Sequence, residues 1–389
     1  MSLDHRLPDE LEELRRTVEA FAHDVVAPKI GEYYEQHAFP YEIVQEMGRM
    51  GLFGLPFPEE YGGMGGDYLA LGIALEELAR VDSSVAITLE AGVSLGAMPI
   101  YHFGTEEQKR AWLPKLCSGE MLGAFGLTEP DGGSDAGATR TTAVRDGDSW
   151  VINGSKCFIT NSGTDITGLV TVTAVTGRKA ATDSSGGSPL ISSIIVPSGT
   201  PGFTVGAPYS KVGWNASDTR ELSFSDVRVP VANLLGAEGR GYAQFLRILD
   251  EGRIAIAALA TGLAQGCVDE SVAYAKERRA FGRPIGDNQA IRFKLADMEM
   301  RAHTSRLSWR DAASRLVHGE PFKKEAALAK LYSSEIAVDN AREATQIHGG
   351  YGFMNEYPVA RMWRDAKILE IGEGTSEVQR MLIARELGF

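Results

Sequence analysis

In the stretch EIGEGTSEVQR (370–380), Glu373 stands between Gly372 and Gly374, directly ahead of SEVQ (376–379), a capping-box pattern that opens a helix. A carboxylate in a tight turn at the positive end of a helix, once buried, is a candidate general base. Four other segments hold side chains that could bind a ligand. FGLTEPDGGSD (125–135) combines glycines that permit tight turns with Thr and Ser hydroxyls that can hydrogen-bond. CFITNSG (157–163) places Phe158 and Thr160 two residues apart, on one face of a strand, where a ring and a hydroxyl can meet a flat ligand together. ERRAFGRPIGDNQ (277–289) gathers Arg278, Arg279 and Arg283, whose planar forks suit phosphate. QIHGGYGF (346–353) has paired glycines after a helix, where a ligand can approach the backbone. Each also has a plain structural reading: a surface Glu, a linker, a half-buried strand, a solvated helix end and a helix C-cap.

Other patterns carry no chemistry. GVSLG (92–96) matches a hydrolase nucleophile elbow around Ser94, but it lies in an apolar helical stretch and not at a strand-to-helix turn. The seven histidines show no metal-ligand spacing, and no metal site is expected. No GxGxxG follows a strand, so a Rossmann dinucleotide site has no support.

The elements that must position these residues fall into three blocks. Residues 8–37, 68–81, 86–102 and about 105–115 show helical patterning, the last opened by the capping box TEEQ (105–108). Short runs rich in Val, Ile and Thr follow: WVING (150–154), CFIT (157–160), LVTVTAV (169–175), SSIIV (192–196) and LSFSDVRV (222–229). A small-residue surface loop is expected at 177–189. From about Tyr242 the chain turns helical again, with an Ala-rich stretch at 254–279, long helices at 287–318 and 321–347, and a final helix. The divisions expected are an α-helical domain over 1–122, a β-domain over 123–235 and a helical bundle over 236–389.

The 389 residues carry a net charge of −13, which disfavours binding to a phosphate backbone, and no nucleic-acid partner is expected. With 43% hydrophobic and 23% charged residues, the balance is that of a globular protein. Cys117, Cys157 and Cys267 are odd in number and far apart, which suits a reducing compartment better than a disulfide framework. The start, MSLDHRLPDELEELRR, is acidic and helical, unlike a signal or transit peptide. No uninterrupted apolar run approaches the roughly 20 residues that span a bilayer. The expectation is a cytoplasmic protein with no membrane partner.

TEPDGGSD, FITNSG, ERRAFGRPI with Gln289, QIHGGYGF and EGTSEVQR occur in one order, with GLPFPEEYGG near the N-terminus. Together they resemble the acyl-CoA dehydrogenase family over nearly the whole chain. The resemblance implies an α+β multidomain fold: an N-terminal all-α domain, a central β-barrel domain and a C-terminal four-helix bundle, assembled as a homotetramer of paired dimers. It implies FAD as cofactor. Phe125, Leu127, Thr128, Gly133 and Ser134, then Phe158, Ile159 and Thr160, would contact the flavin. Arg278, Phe281 and Gln289, with Gln346, Gly349 and Gly350, would bind its dinucleotide part across a dimer interface, and Thr375 and Glu377 would touch the cofactor from the last helix. Ser134, Gly374 and the DEGR segment, through Asp250, Glu251 and Arg253, would contact an acyl-CoA substrate. Glu373 would be the base of an α,β-dehydrogenation giving a trans-2-enoyl-CoA, with electrons passing to an electron-transferring flavoprotein. Some branches carry the base on the first long helix; the matching position here is Gly252, which leaves Glu373.

Two departures bear on the substrate. Gly372 stands where the family often has Tyr before the base, and Asn215 where Arg or His is common. DEGR and LAQGC (263–267) lean toward short or short-branched acyl groups. SSVAITLEAG (83–92) offers Glu90 and no Arg, which disfavours a decarboxylating enzyme of glutaryl type. An oxidase-like relative that uses oxygen is the nearest alternative. A non-catalytic DNA-binding relative is disfavoured by the acidic charge and the lack of a basic C-terminal extension.

Overall fold

The computed structural model describes residues 7–179 and 187–389, so the central part of the expected 177–189 loop lies outside the described residues. The first block is helical: α1 (Asp9–Phe21), α2 (Ala27–Gln36), α3 (Tyr41–Arg49), α4 (Tyr68–Val81), α5 (Ser83–Glu90), α6 (Met98–Phe103) and α7 (Glu106–Cys117). A π-helical turn, Ala22–Val26, interrupts the single helix expected over 8–37, and a second, Ala91–Ala97, joins α5 to α6. Asp82 opens α5 by accepting from the Ser84 and Val85 amides, four residues before the expected start at 86. Thr105 and Gln108 form the expected capping box of α7. By length and composition alone Ser83–Phe103 could cross a membrane, but 94% of its most apolar 18-residue window is buried inside the protein, where an all-round apolar helix belongs.

The middle block is one eight-stranded sheet: β1 (Leu122–Gly126), β2 (Thr142–Asp146), β3 (Ser149–Thr160), β4 (Thr167–Arg178), β5 (Pro189–Pro197), β6 (Phe203–Val205), β7 (Thr219–Pro230) and β8 (Leu234–Leu235). The order is β6-β7-β3-β2-β4-β5-β8, with β1 parallel to β4. The two runs read at 150–154 and 157–160 are one strand, β3, paired to β7 with a register shift between Lys156 and Ile159. This sheet has its own core of Trp150, Ile152, Val170, Ile194, Phe224 and neighbours.

The last block holds α8 (Gly241–Glu277), a small hairpin of β9 (Arg279–Ala280) and β10 (Arg283–Pro284), α9 (Gln289–Val317), α10 (Lys323–His348), α11 (Pro358–Leu369) and α12 (Ser376–Glu386). One core joins this bundle to the first helices: Leu71, Ile73 and Leu75 of α4 are buried with Ala257 and Leu259 of α8 and Trp309 of α9. Small residues set the approach. A Cβ on Gly72 would meet the Trp309 ring at 2.5 Å, and one on Gly262 would overlap the Glu76 carbonyl. That is why α8 is Ala-rich: backbone-to-backbone packing leaves no room for larger side chains.

Asp365 ties the blocks together. Its carboxylate accepts from Tyr34 Oη (2.5 Å), Ser83 Oγ (2.7 Å) and the Trp214 amide (2.6 Å). Burial, with Asp82 nearby, raises it to about 6. Eight residues on from this anchor comes Glu373.

Candidate active site

The turn that carries Glu373 runs from the end of α11 into α12. Ile371 and Gly372 close back onto the Ile368 carbonyl (2.9 and 2.8 Å), and the Ser376 amide reaches the Glu370 carbonyl (3.0 Å). Among the described residues, the amides of Glu373, Gly374 and Thr375 make no backbone hydrogen bond in between. Glu373 has φ +53° and Gly374 φ +94°. Gly accepts such a conformation freely, whereas for Glu it costs on the order of 1–3 kcal/mol and persists only where the surroundings impose it. The surroundings are two donors. Gln379 Nε2 donates to the carbonyls of Glu373 (3.4 Å) and Gly374 (2.9 Å), and Lys330 Nζ on α10 donates to the Gly374 carbonyl at 2.8 Å. Lys330 is wholly buried, and that burial lowers its ammonium to about 8. The helix cap differs by one residue from the expected SEVQ box. Thr375 is the N-cap, accepting from Val378 N at 3.3 Å, and Gln379 is thereby free to brace the turn.

Glu373 Oε2 is buried and has no hydrogen-bond partner. It lies against Gly252 of α8, where a Cβ would overlap it. Burial raises the Glu373 carboxyl above its ordinary range; the neighbouring Glu90 carboxyl and the charges of Lys330 and Arg253 act against that. The carboxylate is therefore a poised proton acceptor facing a clearance that only glycine leaves open. Gly252→Ala should push the carboxylate aside. A displacement near 1 Å can cost about 10²-fold, so kcat should fall about 10- to 10²-fold. Ala is the better helix former, so the thermal midpoint should not drop correspondingly. Parallel kcat and melting measurements check this.

The DEGR segment on α8 is buried and internally paired. Asp250 binds Arg253 (2.5 Å) and Lys323 (3.2 Å), and Glu251 meets His102 Nε2 at 2.9 Å. Phe245, two turns earlier, stacks on Phe125 of β1 at 5.8 Å, which sets α8 against the loop that follows β1.

In that loop Leu127 and Thr128 are half-buried, whereas Gly133 and Ser134 are exposed. Its shape is held by Glu129, which accepts from the amides of Arg140 (2.7 Å) and Thr141 (3.0 Å) and from Lys156 Nζ (2.7 Å). The Thr128 carbonyl accepts from Cys157 N at 2.9 Å, so the loop and β3 lie side by side. The expectation that Phe158 and Thr160 share a face by simple alternation needs correction. Phe158 sits in the bulge with φ +59°, which breaks the two-residue period and turns its ring outward, 66% exposed and 5.3 Å from Tyr209. Ile159 is buried and Thr160 half-buried.

The remaining segments meet elsewhere. Arg278 lies 5.3 Å from the Tyr351 ring, and Tyr274 Oη donates to the His348 carbonyl (3.3 Å), joining the end of α8 to the end of α10. Arg279 and Arg283 are occupied locally, with the Gly282 carbonyl and Asn288 (both 2.9 Å). Phe281 at the hairpin tip is wholly exposed, as are Gln289 and Gln346 in large part. A Cβ on Gly349 or Gly350 would meet nothing. Glu377 is exposed in the first turn of α12, where backbone amides and Thr375 lower its carboxyl. Ser94 is buried, accepting from Tyr68 Oη at 2.9 Å, which suits a packed helix and not an exposed nucleophile.

Three domain descriptions match the chain in order: acyl-CoA dehydrogenase N-terminal domain at 8–120, middle domain at 124–227 and C-terminal domain at 239–388. The chain belongs to the acyl-CoA dehydrogenase family. It is accordingly an oxidoreductase acting on a CH–CH group. Among similar proteins, a probable acyl-CoA dehydrogenase of Bacillus subtilis, YngJ, is 51% identical over 99% of this chain and 100% of its own. Butyryl-CoA dehydrogenase of Megasphaera elsdenii superposes with a TM-score of 0.93 at 43% identity, covering 99% and 100% of the two chains. A chain solved in work on the electron-transferring flavoprotein of Acidaminococcus fermentans and electron bifurcation gives 0.94 at 42%, again over 99% and 100%. The three-domain order of this acyl-CoA dehydrogenase, helices then sheet then bundle, is the one its sequence leads one to expect.

Proposed function

We propose that this protein catalyses the FAD-dependent α,β-dehydrogenation of a short-chain or short-branched acyl-CoA to its trans-2-enoyl-CoA, with the electrons going to an electron-transferring flavoprotein. The observation that carries this reading is the Glu373 turn: a buried, partnerless carboxylate oxygen, braced by Lys330 and Gln379 and given room by Gly252. Glu373 accepts the α-proton of the thioester. That proton is weakly acidic until donors hold the thioester oxygen, and the amide of Glu373, which lacks a backbone acceptor, is one such donor. Bound flavin supplies the acceptor for the β-hydride. The butyryl-CoA dehydrogenase relative supports the short-chain assignment, and the Acidaminococcus chain supports the flavoprotein partner.

The chain's surfaces fit a flavin dinucleotide. Thr128, Ser134 and Thr160 offer hydroxyls and Phe158 an outward ring; Leu127 and Gly133 are assigned with them, and Ile159, whose side chain is buried in the sheet core, through its backbone. Arg278, Phe281, Gln289, Gln346, Gly349 and Gly350 are all exposed, which suits the dinucleotide part held against a second subunit. Exposed Phe281, Phe353, Met381 and Phe389 support a homotetramer in which these side chains are covered. Asp250, Glu251, Arg253, Ser134 and Gly374 are assigned to the acyl-CoA side. The domain limits proposed are 1–122, 123–235 and 236–389.

A steady-state assay with saturated acyl-CoAs of increasing length tests the substrate and acceptor together. Turnover should peak at four- or five-carbon acyl groups and depend on added electron-transferring flavoprotein. Oxygen consumption at the same rate without it would replace the acceptor with oxygen. Lys330→Met should move the acid limb of kcat/KM to higher pH, because the lost positive charge no longer favours ionised Glu373. A pH profile that falls uniformly without shifting would reduce Lys330 to a packing role.

A further inference from the structure

Glu90 is a second carboxyl in this site. It ends α5, is fully buried, and neither of its oxygens has a hydrogen-bond partner. A wider π-helical turn begins at the next residue, and such turns recur where a helix must present a functional group. Glu373, whose Oε2 is likewise buried and partnerless, is its main charged neighbour and lies within hydrogen-bonding reach.

Two ionised carboxylates can only accept, so as anions neither can satisfy the other, and their repulsion in a dry site is severe. One proton between them removes both defects. The charged groups around the pair decide which residue holds it. Lys330 from α10 and Arg253 from α8 act on Glu373, whereas among the described residues no cation acts on Glu90, and only the Ser94 hydroxyl favours its ionised form. Tyr68 from α4 faces both but already donates to Ser94. Glu251 and Asp250 of α8 are engaged with His102 and with Arg253 and Lys323.

We propose that Glu90 is a positioning residue: it carries the single proton of the Glu90–Glu373 pair in the holoenzyme before substrate binds, and donates it in a hydrogen bond that holds Glu373 ionised and in place. This rests on the reading of Glu373 as the base. Burial and the neighbouring Glu373 charge both push the Glu90 carboxyl well above the usual carboxylate range, as the assignment requires. In the reaction the α-proton passes from carbon to Glu373 while Glu90 keeps its own, so the pair goes from one proton to two and ends neutral.

The test uses flavin-loaded protein with Glu90→Leu, Glu90→Gln and Glu373→Gln. Loss of the donor in E90L should raise the Glu373 pKa and move the acid limb of kcat/KM to higher pH by about one to two units. E90Q, whose amide still donates, should leave that limb in place. Infrared spectra of the ligand-free holoenzyme at pH 8, where Asp365 is ionised, should show the carbonyl stretch of a buried protonated carboxyl, absent in both Glu90 variants. An unmoved limb in E90L, or a protonated-carboxyl band that persists in E90Q, overturns the proposal. If E90L does not fold, the E90Q spectrum decides alone. E373Q separates the two readings: an inactive E373Q with an unmoved E90L limb removes the pairing only, whereas an active E373Q removes the base assignment and leaves the infrared band to judge the pair.

Discussion

Glu373→Gln should lower kcat by about 10²–10⁴-fold with flavin still bound, the range a positioned acid–base group supplies. Gln keeps the length and shape of the side chain, and the groups that hold the turn act on its backbone: Gln379 on the carbonyls of residues 373 and 374, Lys330 on that of Gly374. The left-handed backbone at φ +53° is equally strained for either residue. What Gln lacks is the capacity to take a proton. Removing a charge held in a buried site should leave the melting temperature unchanged or higher. The check is turnover with a short-chain acyl-CoA beside visible absorbance and a melting curve. Activity within tenfold of the parent, in a protein that keeps its flavin, would sink the base assignment.

Lys156→Met should destabilise the fold by about 3–5 kcal/mol, the usual cost of stranding one member of a buried ion pair. Lys156 is fully buried in β3, where it donates to Glu129 Oε1 (2.7 Å), the Leu127 carbonyl (3.0 Å) and Thr173 Oγ1 (3.2 Å). Burial lowers its ammonium to about 8, while Glu129 acts to restore the charge. Burial would raise Glu129 in turn, but the bonds from Lys156 and Thr141 prevail and hold it below its ordinary value. With Met, Glu129 stays buried without its cation, and the loop that carries Leu127, Thr128 and Ser134 loses its clamp. Adding Glu129→Gln should recover much of the loss, since neutralising both partners is milder than orphaning one. Denaturant midpoints of the single and double variants measure this. A loss under about 1 kcal/mol for the single change would show that the pair does not organise the loop.

The large-scale order was legible because it rests on local composition and pattern, which survive in any one stretch of chain: short runs rich in Val, Ile and Thr between turn residues over 149–230, and Ala-rich helical runs after Gly241. What escaped depends on partners distant in sequence. Nothing local singles out Lys156 on its strand or Lys330 on its helix, yet both are wholly buried, held by Glu129 and the Gly374 carbonyl. Glu90 did carry a signal, a lone carboxylate in an apolar helical run, but nothing local pointed to Glu373 as its neighbour. The bulge at Phe158 is a backbone event, and alternation cannot register one inserted residue. Thr375 and Ser376 are adjacent hydroxyl residues with near-equal capping power, so the cap could shift by one without changing the pattern. The π-helical turns leave no local signature either, because AHDVV and AGVSLGA hold no residue that ordinary helices exclude.

The proposed reaction removes a proton and a hydride from adjacent carbons of a short acyl thioester. Anaerobic titration of the purified flavoprotein with acyl-CoAs tests it most directly, because it reads the first half of the reaction with no acceptor present. Rapid bleaching of the flavin's blue absorption band by butyryl-CoA or 2-methylbutyryl-CoA is expected, lost in Glu373→Gln. A flavin-loaded protein that no short-chain acyl-CoA bleaches would contradict it.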